Sequence, residues 1–226
     1  MTIKWEEITL HNQEYLNQLF DLYDNTFPIE VREPHKIFLN GLQYAVDRKP
    51  NNFHNLIGLD GNRVVSFATG HYLADVNAGF IVYIATDPNV RSKGLGSHTL
   101  LKIEELLNND AVNAGYKAIK TVVLETESIE WVQTYEEKQD CLKRYKFFDR
   151  NNYQRADSLL YLQPPLHPEE SEVPLYLYGK NLIHTNISQA ELQNIVRAIY
   201  NEKYLRVNEI DQIVLTNCLR KMKIES

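Results

Sequence analysis

The stretch Tyr83-Ile84-Ala85-Thr86-Asp87-Pro88-Asn89-Val90-Arg91-Ser92-Lys93-Gly94-Leu95-Gly96 decides how the rest of this 226-residue chain is read. Upstream, Gly79 to Ala85 is almost continuously apolar and rich in β-branched and aromatic residues, which predicts a central strand buried on both faces. Downstream, Leu100, Ile103, Leu106 and Leu107 form one helical stripe, and Asn113-Ala114-Gly115 is a stop before a further strand over Ala118 to Leu124. Strand, glycine loop, helix and strand make a βαβ-like crossover. The loop has the ingredients of a phosphate site. The first turn of a helix has N–H groups without acceptors and a partial positive charge, and glycine lets a ligand come close to the backbone. Arg91 and Lys93 add two cations, so a pyrophosphate fits. A GxxxxGK[ST] loop is absent, and Thr99 stands where a dinucleotide fingerprint needs a third small residue.

Toward the N-terminus, Leu16, Leu19, Phe20 and Tyr23 share one face of a first helix that ends near Asn25. Pro28 and Pro34 frame a turn, and a second helix follows around His35 to Val46. Leu56 to Asp60 and Arg63 to Tyr72 flank Asp60-Gly61-Asn62, a hairpin. Toward the C-terminus, Ile129 to Arg144 is polar and helix-compatible, and Tyr145 to Phe148 and Ser158 to Leu162 read as short strands. The three prolines in Gln163 to Glu170 make the clearest break in composition, so a domain edge is expected after Leu166. Beyond it a short strand, Pro174 to Tyr178, precedes two helices. The first opens with a capping box of Ser188 and Glu191 and carries Leu192, Ile195, Val196 and Ile199 on one face. The second opens near Asn208 with Ile210, Ile213, Val214 and Cys218. About 60 residues make a thin core alone, so this extension is expected to dock on the main domain or on a second copy in a homodimer.

Composition narrows the partners. Apolar residues at 43% and charged residues at 24% are those of a folded globular chain. A net charge of -6 repels a phosphate backbone, which argues against nucleic acid. No window approaches the roughly 20 apolar residues of a membrane span, and Met1 to Glu7 lacks a basic segment leading into an apolar one, so a cytoplasmic protein with no membrane partner is expected. Cys141 and Cys218 have neither CxxC spacing nor a nearby His cluster, so no disulfide framework and no metal site are expected.

The quoted stretch resembles the acetyl-CoA motif of the GCN5-related N-acetyltransferase (GNAT) superfamily, whose core is [R/Q]xxGx[G/A] after a central strand, with Pro88 three residues ahead of Arg91. The two helices, the antiparallel strands, the loop and its helix, the next strand and the late aromatic segment Tyr145-Lys146-Phe147 extend the likeness over about residues 3–166. The resemblance implies a mixed α/β (α+β) fold: a central mixed, mostly antiparallel twisted sheet flanked by helices. Residues 1–166 form the acetyl-CoA-dependent N-acetyltransferase domain and 167–226 a C-terminal extension. It implies that the backbone of Arg91, Ser92, Lys93, Gly94, Leu95, Gly96 and Ser97 grips the pyrophosphate of acetyl-CoA. Ile84, Ala85 and Thr86 pair with its pantetheine arm like an added strand, and an N–H there polarises the thioester carbonyl. The acetyl group then passes directly to a primary amine of a small molecule or peptide in a ternary complex.

Direct attack needs a base, because an aliphatic ammonium with a pKa near about 10 must first lose a proton. Glu125, following Val122-Val123-Leu124, is the first candidate, ahead of Asp75, Glu127 and His71. Many members supply an acid from YxxxGF, but aligning Phe147 puts Leu142 at the tyrosine and Lys146 at the glycine. Tyr145 is the nearest substitute, with Tyr135 and unassisted thiolate departure as alternatives. Where members place variable acceptor-binding groups, this chain has Glu30, Arg32 and Glu33 between two prolines, and His71 in the hairpin. Leucine at position 142 also leaves a non-catalytic acyl-CoA sensor as a second reading, and an enzyme using a longer acyl donor is a third.

Overall fold

The computed structural model of the chain describes residues 2–90, 94–167, 170–183 and 186–224, without the side chain of Glu30. It is mixed α/β and divides into two compact units, Met1–Ile119 and Lys120–Ser226.

In the first unit the elements run β1 (Lys4–Ile8), α1 (Leu16–Asp24), α2 (His35–Asp47), β2 (Asn52–Asp60), β3 (Arg63–Leu73), β4 (Ala78–Thr86) and α3 (Leu95–Asn113). The strands form an antiparallel meander, with Lys4 opposite Leu59, Ile57 opposite Phe67 and Phe67 opposite Ala85. β1 was not legible in advance: Lys4-Trp5-Glu6-Glu7-Ile8 carries three charges, as suits a strand at the end of a sheet. The two faces are covered by different helices. α2 lies over the face bearing Phe53, whose ring fills the space beside Gly41, and α3 lies over the opposite face, with Ile103 against Gly70. Leu16, Leu19 and Tyr23 are the buried stripe of α1, and Leu100, Ile103, Leu107 and Ala111, none more than 1% exposed, are that of α3. Burying each of the three large α3 side chains contributes about 2 kcal/mol. Gly115, at φ +93°, ends α3: its N–H donates to Val112 O while Tyr116 N–H donates to Ala111 O, the paired bonds of a Schellman turn.

In the second unit β5 (Thr121–Glu127) is followed by α4 (Tyr135–Arg150), β6 (Gln154–Arg155), β7 (Tyr161–Gln163), β8 (Val173–Asn181), α5 (Gln189–Ile199), a π-helical segment (Tyr200–Val207) and α6 (Gln212–Lys221). β8 is the organising strand. One edge pairs antiparallel with β5 over seven positions, from Thr121↔Asn181 to Glu127↔Leu175, and it also pairs with β6 and β7. The division expected after Leu166 thus falls inside this unit, between the paired strands β7 and β8.

Three local expectations differ from the structure. Tyr145 to Phe148 is helical, because Thr134 and Glu137 close a full capping box that starts α4, and Cys141, Tyr145 and Phe148 then recur on one side. Tyr145 and Phe148 meet Tyr178 of β8 at ring separations of 5.9 and 5.4 Å. At α5, Ser188 accepts from Glu191 N–H as expected, but the Glu191 carboxylate is taken up by Thr121 Oγ1 at 2.8 Å and Lys120 Nζ at 3.3 Å. The last helix opens at Asp211, which caps Ile213 N–H, because residues 200–207 continue from α5 as a π-helix. Among the described residues no helix is long and apolar enough to cross a membrane.

Candidate active site

The loop identified from sequence is shaped by the strand before it and the helix after it. A bulge opposite Thr69 and Gly70 leaves Val82 without a register partner and turns the end of β4, after which Ile84 lies opposite Ala68, Ala85 opposite Phe67 and Thr86 opposite Ser66. Asp87 then fixes the exit from the strand. Its N–H donates to Val65 O, its carboxylate accepts from Asn89 N–H at 2.8 Å and pairs with Arg63, and Val90 N–H closes a short turn onto Asp87 O. Arg91, Ser92 and Lys93 lie outside the described residues. Gly94, at φ +74°, occupies the N-cap of α3, a backbone conformation that costs a residue with a Cβ. Among the described residues no side chain caps this helix, and none comes within 4 Å of a Cβ built on Gly94. Leu95 is buried as an anchor, while Gly96 and Ser97 in the first turn are partly exposed. Thr99, the residue that departs from a dinucleotide fingerprint, turns inward and donates to Leu95 O at 2.9 Å.

The proline-framed segment is held against the same strand. Tyr83 donates to Val31 O at 2.8 Å, one residue before Ile84. Arg32 Nη1 donates to Asp24 Oδ1 at 2.9 Å, and Glu33, buried, gives its N–H to the Tyr23 hydroxyl at 2.6 Å. Tyr23 in turn packs with Phe27, Phe38, Phe67 and Tyr83, so an aromatic cluster fixes this lip to the sheet. Burial raises the Tyr23 phenol and keeps it protonated. His71 is a different case: it is fully buried in β3 with its ring against Phe53 and Tyr44, in the interior and away from solvent.

In the second unit, Glu125 lies within β5, opposite Leu177 of β8, and is half-buried. The Tyr204 hydroxyl, from the π-helical segment, donates toward both of its oxygens at 3.2 and 3.4 Å. Tyr161 of β7 stands behind it, its hydroxyl 3.3 Å from that of Tyr204. Burial, then the nearby Glu125 charge, drives both phenols far above their ordinary range, so both remain hydroxyl donors. Tyr145 is engaged elsewhere, donating to Glu127 O and accepting from Ile129 N–H, each at 2.8 Å. Glu127 is ion-paired to Arg144. Leu142, at the position where the motif carries tyrosine, is an exposed residue of α4. A cavity of about 300 Å³ in this unit is lined by Trp131, Arg155, Tyr161, Leu175 and Tyr176, among others. Among the described residues no group of three or more His, Cys, Asp or Glu side chains is arranged to hold a metal.

The sequence matches the Acetyltransferase (GNAT) family over residues 16–131, more than half of its length. The chain belongs to this family. No curated protein matches the sequence. Solved GNAT structures carry the fold likeness. An acetyltransferase of the GNAT family from Bacteroides thetaiotaomicron is 22% identical, with 92% of this chain and 99% of that one covered and a TM-score of 0.64. An aminoglycoside 6'-N-acetyltransferase complexed with coenzyme A is 15% identical, covering 83% and 100%, with a TM-score of 0.52. A PaiA N-acetyltransferase from Thermoplasma acidophilum in complex with coenzyme A is 14% identical, covering 80% and 99%, also at 0.52. At these identities the likeness is one of fold, and the match to the first structure takes in nearly the whole chain.

Tyr161 and Tyr204 are the residues of this GNAT chain that sequence reasoning missed. The only advance signal was Tyr200 and Tyr204 at helical spacing beside Ile199, a pattern that any buried helix shares.

Proposed function

We propose that the chain transfers an acetyl group from acetyl-CoA to a primary amine of a small molecule or peptide. The observation that carries this reading is the left-handed, side-chain-free Gly94 at the start of α3, which no side chain among the described residues caps, in a chain of the GNAT family. An uncapped first turn offers N–H donors to an anion, and the open space at Gly94 lets a diphosphate reach them, so the residues fit the donor. In this proposal Gly94 to Ser97, with Arg91, Ser92 and Lys93, hold the pyrophosphate, and Ile84, Ala85 and Thr86 take the pantetheine arm along the backbone. When bound, acetyl-CoA supplies an activated acyl group. The acceptor amine forms the new C–N bond as the C–S bond breaks, and coenzyme A leaves with the sulfur's electron pair.

Glu125 is the proposed base for the proton lost by the acceptor ammonium. Tyr145 holds α4 to the end of β5 in this scheme, because its hydroxyl hydrogen is already given to Glu127 O. The thiolate therefore departs without it, which a leaving group with a thiol pKa near about 8.5 tolerates at neutral pH. The α1–α2 lip, with Arg32 and Glu33 held by Tyr23 and Asp24, and with Glu30, is the proposed acceptor-facing surface. His71, sealed inside the sheet, supports that surface through packing.

Calorimetric titration of acetyl-CoA into wild type and Gly96→Glu tests the loop. The added carboxylate should crowd and repel the diphosphate and weaken binding by at least tenfold, whereas equal affinities would refute the assignment. Thiol release during a screen of amines separates an enzyme from a protein that only binds the cofactor.

A further inference from the structure

The C-terminal π-helix brings a tyrosine hydroxyl to the carboxylate of Glu125. A run of eight residues in π geometry is rare, and such widened turns recur where a side chain must be re-aimed. Here the run opens directly from α5, and the Asn208 N–H closes back on Lys203 O, five residues earlier. Within it Tyr200 and Tyr204 are both buried, their rings edge-to-face at 5.4 Å. Tyr200 is anchored by donating to Leu162 O at the strand β7. That anchor leaves the neighbouring Tyr204 hydroxyl facing the Glu125 carboxylate, where it meets Tyr161. Hydroxyl groups from two different elements therefore form a relay that ends on one carboxylate, Tyr161 against Tyr204 and Tyr204 on Glu125.

We propose that Tyr204, backed by the Tyr161 hydroxyl, is a positioning residue for Glu125, holding the carboxylate in one orientation and setting the pH at which it can accept a proton. The proposal rests on Glu125 being the base. Its physical basis is that hydrogen bonds donated to the ionised form of a carboxyl favour that form, so removing a donor makes the carboxyl harder to ionise. The titratable groups facing Glu125 within this unit are Tyr161 and Tyr204 and, at longer range, Tyr200, all held protonated by burial. Lys203 lies over the Tyr204 ring at 5.5 Å and donates to Asn208 Oδ1. Both hydroxyls stay protonated across the working pH range, so the pair orients the carboxylate without contributing a charge.

The test is a carbon-13 NMR titration of the Glu125 side-chain carboxyl in the full-length, cofactor-free protein, assigned by its loss in Glu125→Gln. In Tyr204→Phe the midpoint should rise by about one pH unit, the size expected when a charge-assisted hydrogen bond is lost, and in Tyr161→Phe, which removes the hydroxyl behind Tyr204, it should rise in the same direction by less. The acid limb of kcat/KM against pH should move by the same amount, with KM for acetyl-CoA unchanged. A melting point that falls while the carboxyl midpoint stays at the wild-type value would make these tyrosines structural and overturn the proposal. Should Tyr204→Phe fail to fold, Tyr161→Phe carries the same comparison. Unchanged turnover in Glu125→Gln would remove the base assignment alone, because the midpoint shift reports the hydrogen bonds independently of catalysis.

Discussion

Raising the pH from 6 to 10 should strip about 3 kcal/mol from the stability of this protein through a single side chain, His54. The imidazole is buried in β2 between two carboxylates, with Nδ1 2.6 Å from Glu7 Oε1 on β1 and Nε2 2.6 Å from Asp110 Oδ2 on α3. Asn52 completes the cluster by donating to the other Asp110 oxygen at 2.7 Å. Burial alone would lower the pKa of the ring, but the hydrogen bonds to Asp110 and Glu7 and the charges behind them outweigh it and raise the pKa from 6.5 to about 9. The reason is visible in the geometry: a protonated ring donates to both carboxylates, whereas a neutral one donates to only one and faces the other with a lone pair.

The sign follows from linkage. Below pH 6.5 the folded and unfolded chains both carry the proton and the stabilisation is complete. Between 6.5 and about 9 only the folded chain carries it, so stability declines as pH rises, and beyond about 9 the contribution is gone. At 1.36 kcal/mol per pKa unit the loss is about 3 kcal/mol, a large share of an ordinary domain's stability. Urea unfolding at half-unit steps from pH 6 to 10, with and without His54→Gln, measures it. The variant should be less stable at pH 6 and show a much flatter profile. Parallel profiles, or a ring titration near 6.5 by NMR, would refute the reasoning. Asp110 lies fourteen residues beyond Gly96 on α3, about 20 Å along the axis, so acetyl-CoA affinity at pH 7 should change little.

Tyr145→Phe should lower stability by about 1–3 kcal/mol, because it removes the bond to Glu127 O and leaves Ile129 N–H without its acceptor. The melting point should fall while the basic limb of the pH–rate profile stays in place; loss of that limb would instead make Tyr145 the acid. Truncation after Leu166 removes β8 and with it all seven β5 pairs, so the shortened chain should aggregate or lose structure by circular dichroism. A soluble product with the wild-type melting point would contradict the role given to β8.

What was legible in the sequence was local. The stripe of α3, the Asp60-Gly61-Asn62 hairpin and the glycine at the start of the helix each declare themselves within a few residues, because periodicity and left-handed backbone are properties of a short window. β1 escaped because a charged strand beginning Lys4-Trp5-Glu6 lacks apolar alternation. Tyr145 to Phe148 misled because aromatic residues favour strands unless, as with Cys141, Tyr145 and Phe148, a stripe four and three residues apart is completed from outside the window. The π-helix leaves no mark on composition. Nor does the pairing of β5 with β8, whose strands lie about fifty residues apart, and the Tyr204–Glu125 contact spans seventy-nine.

The same distinction bears on two carboxylates that sequence ranked by strand position alone. Glu125 and Glu127 are two residues apart on β5, of one residue type and both partly exposed. Glu127 is paired with the guanidinium of Arg144, so its carboxylate is committed to a permanent cation. Glu125 instead receives the neutral Tyr204 hydroxyl, which orients its carboxylate without pairing it to a charge. A base that must be ionised near neutrality and still accept a proton is better served by neutral donors than by an ion pair. That argument favours Glu125 over Glu127 as the proposed base, and it depends on Tyr161 and Tyr204, 36 and 79 residues later in the chain than Glu125, so the position of the carboxylate could be anticipated from β5 but its chemical character could not.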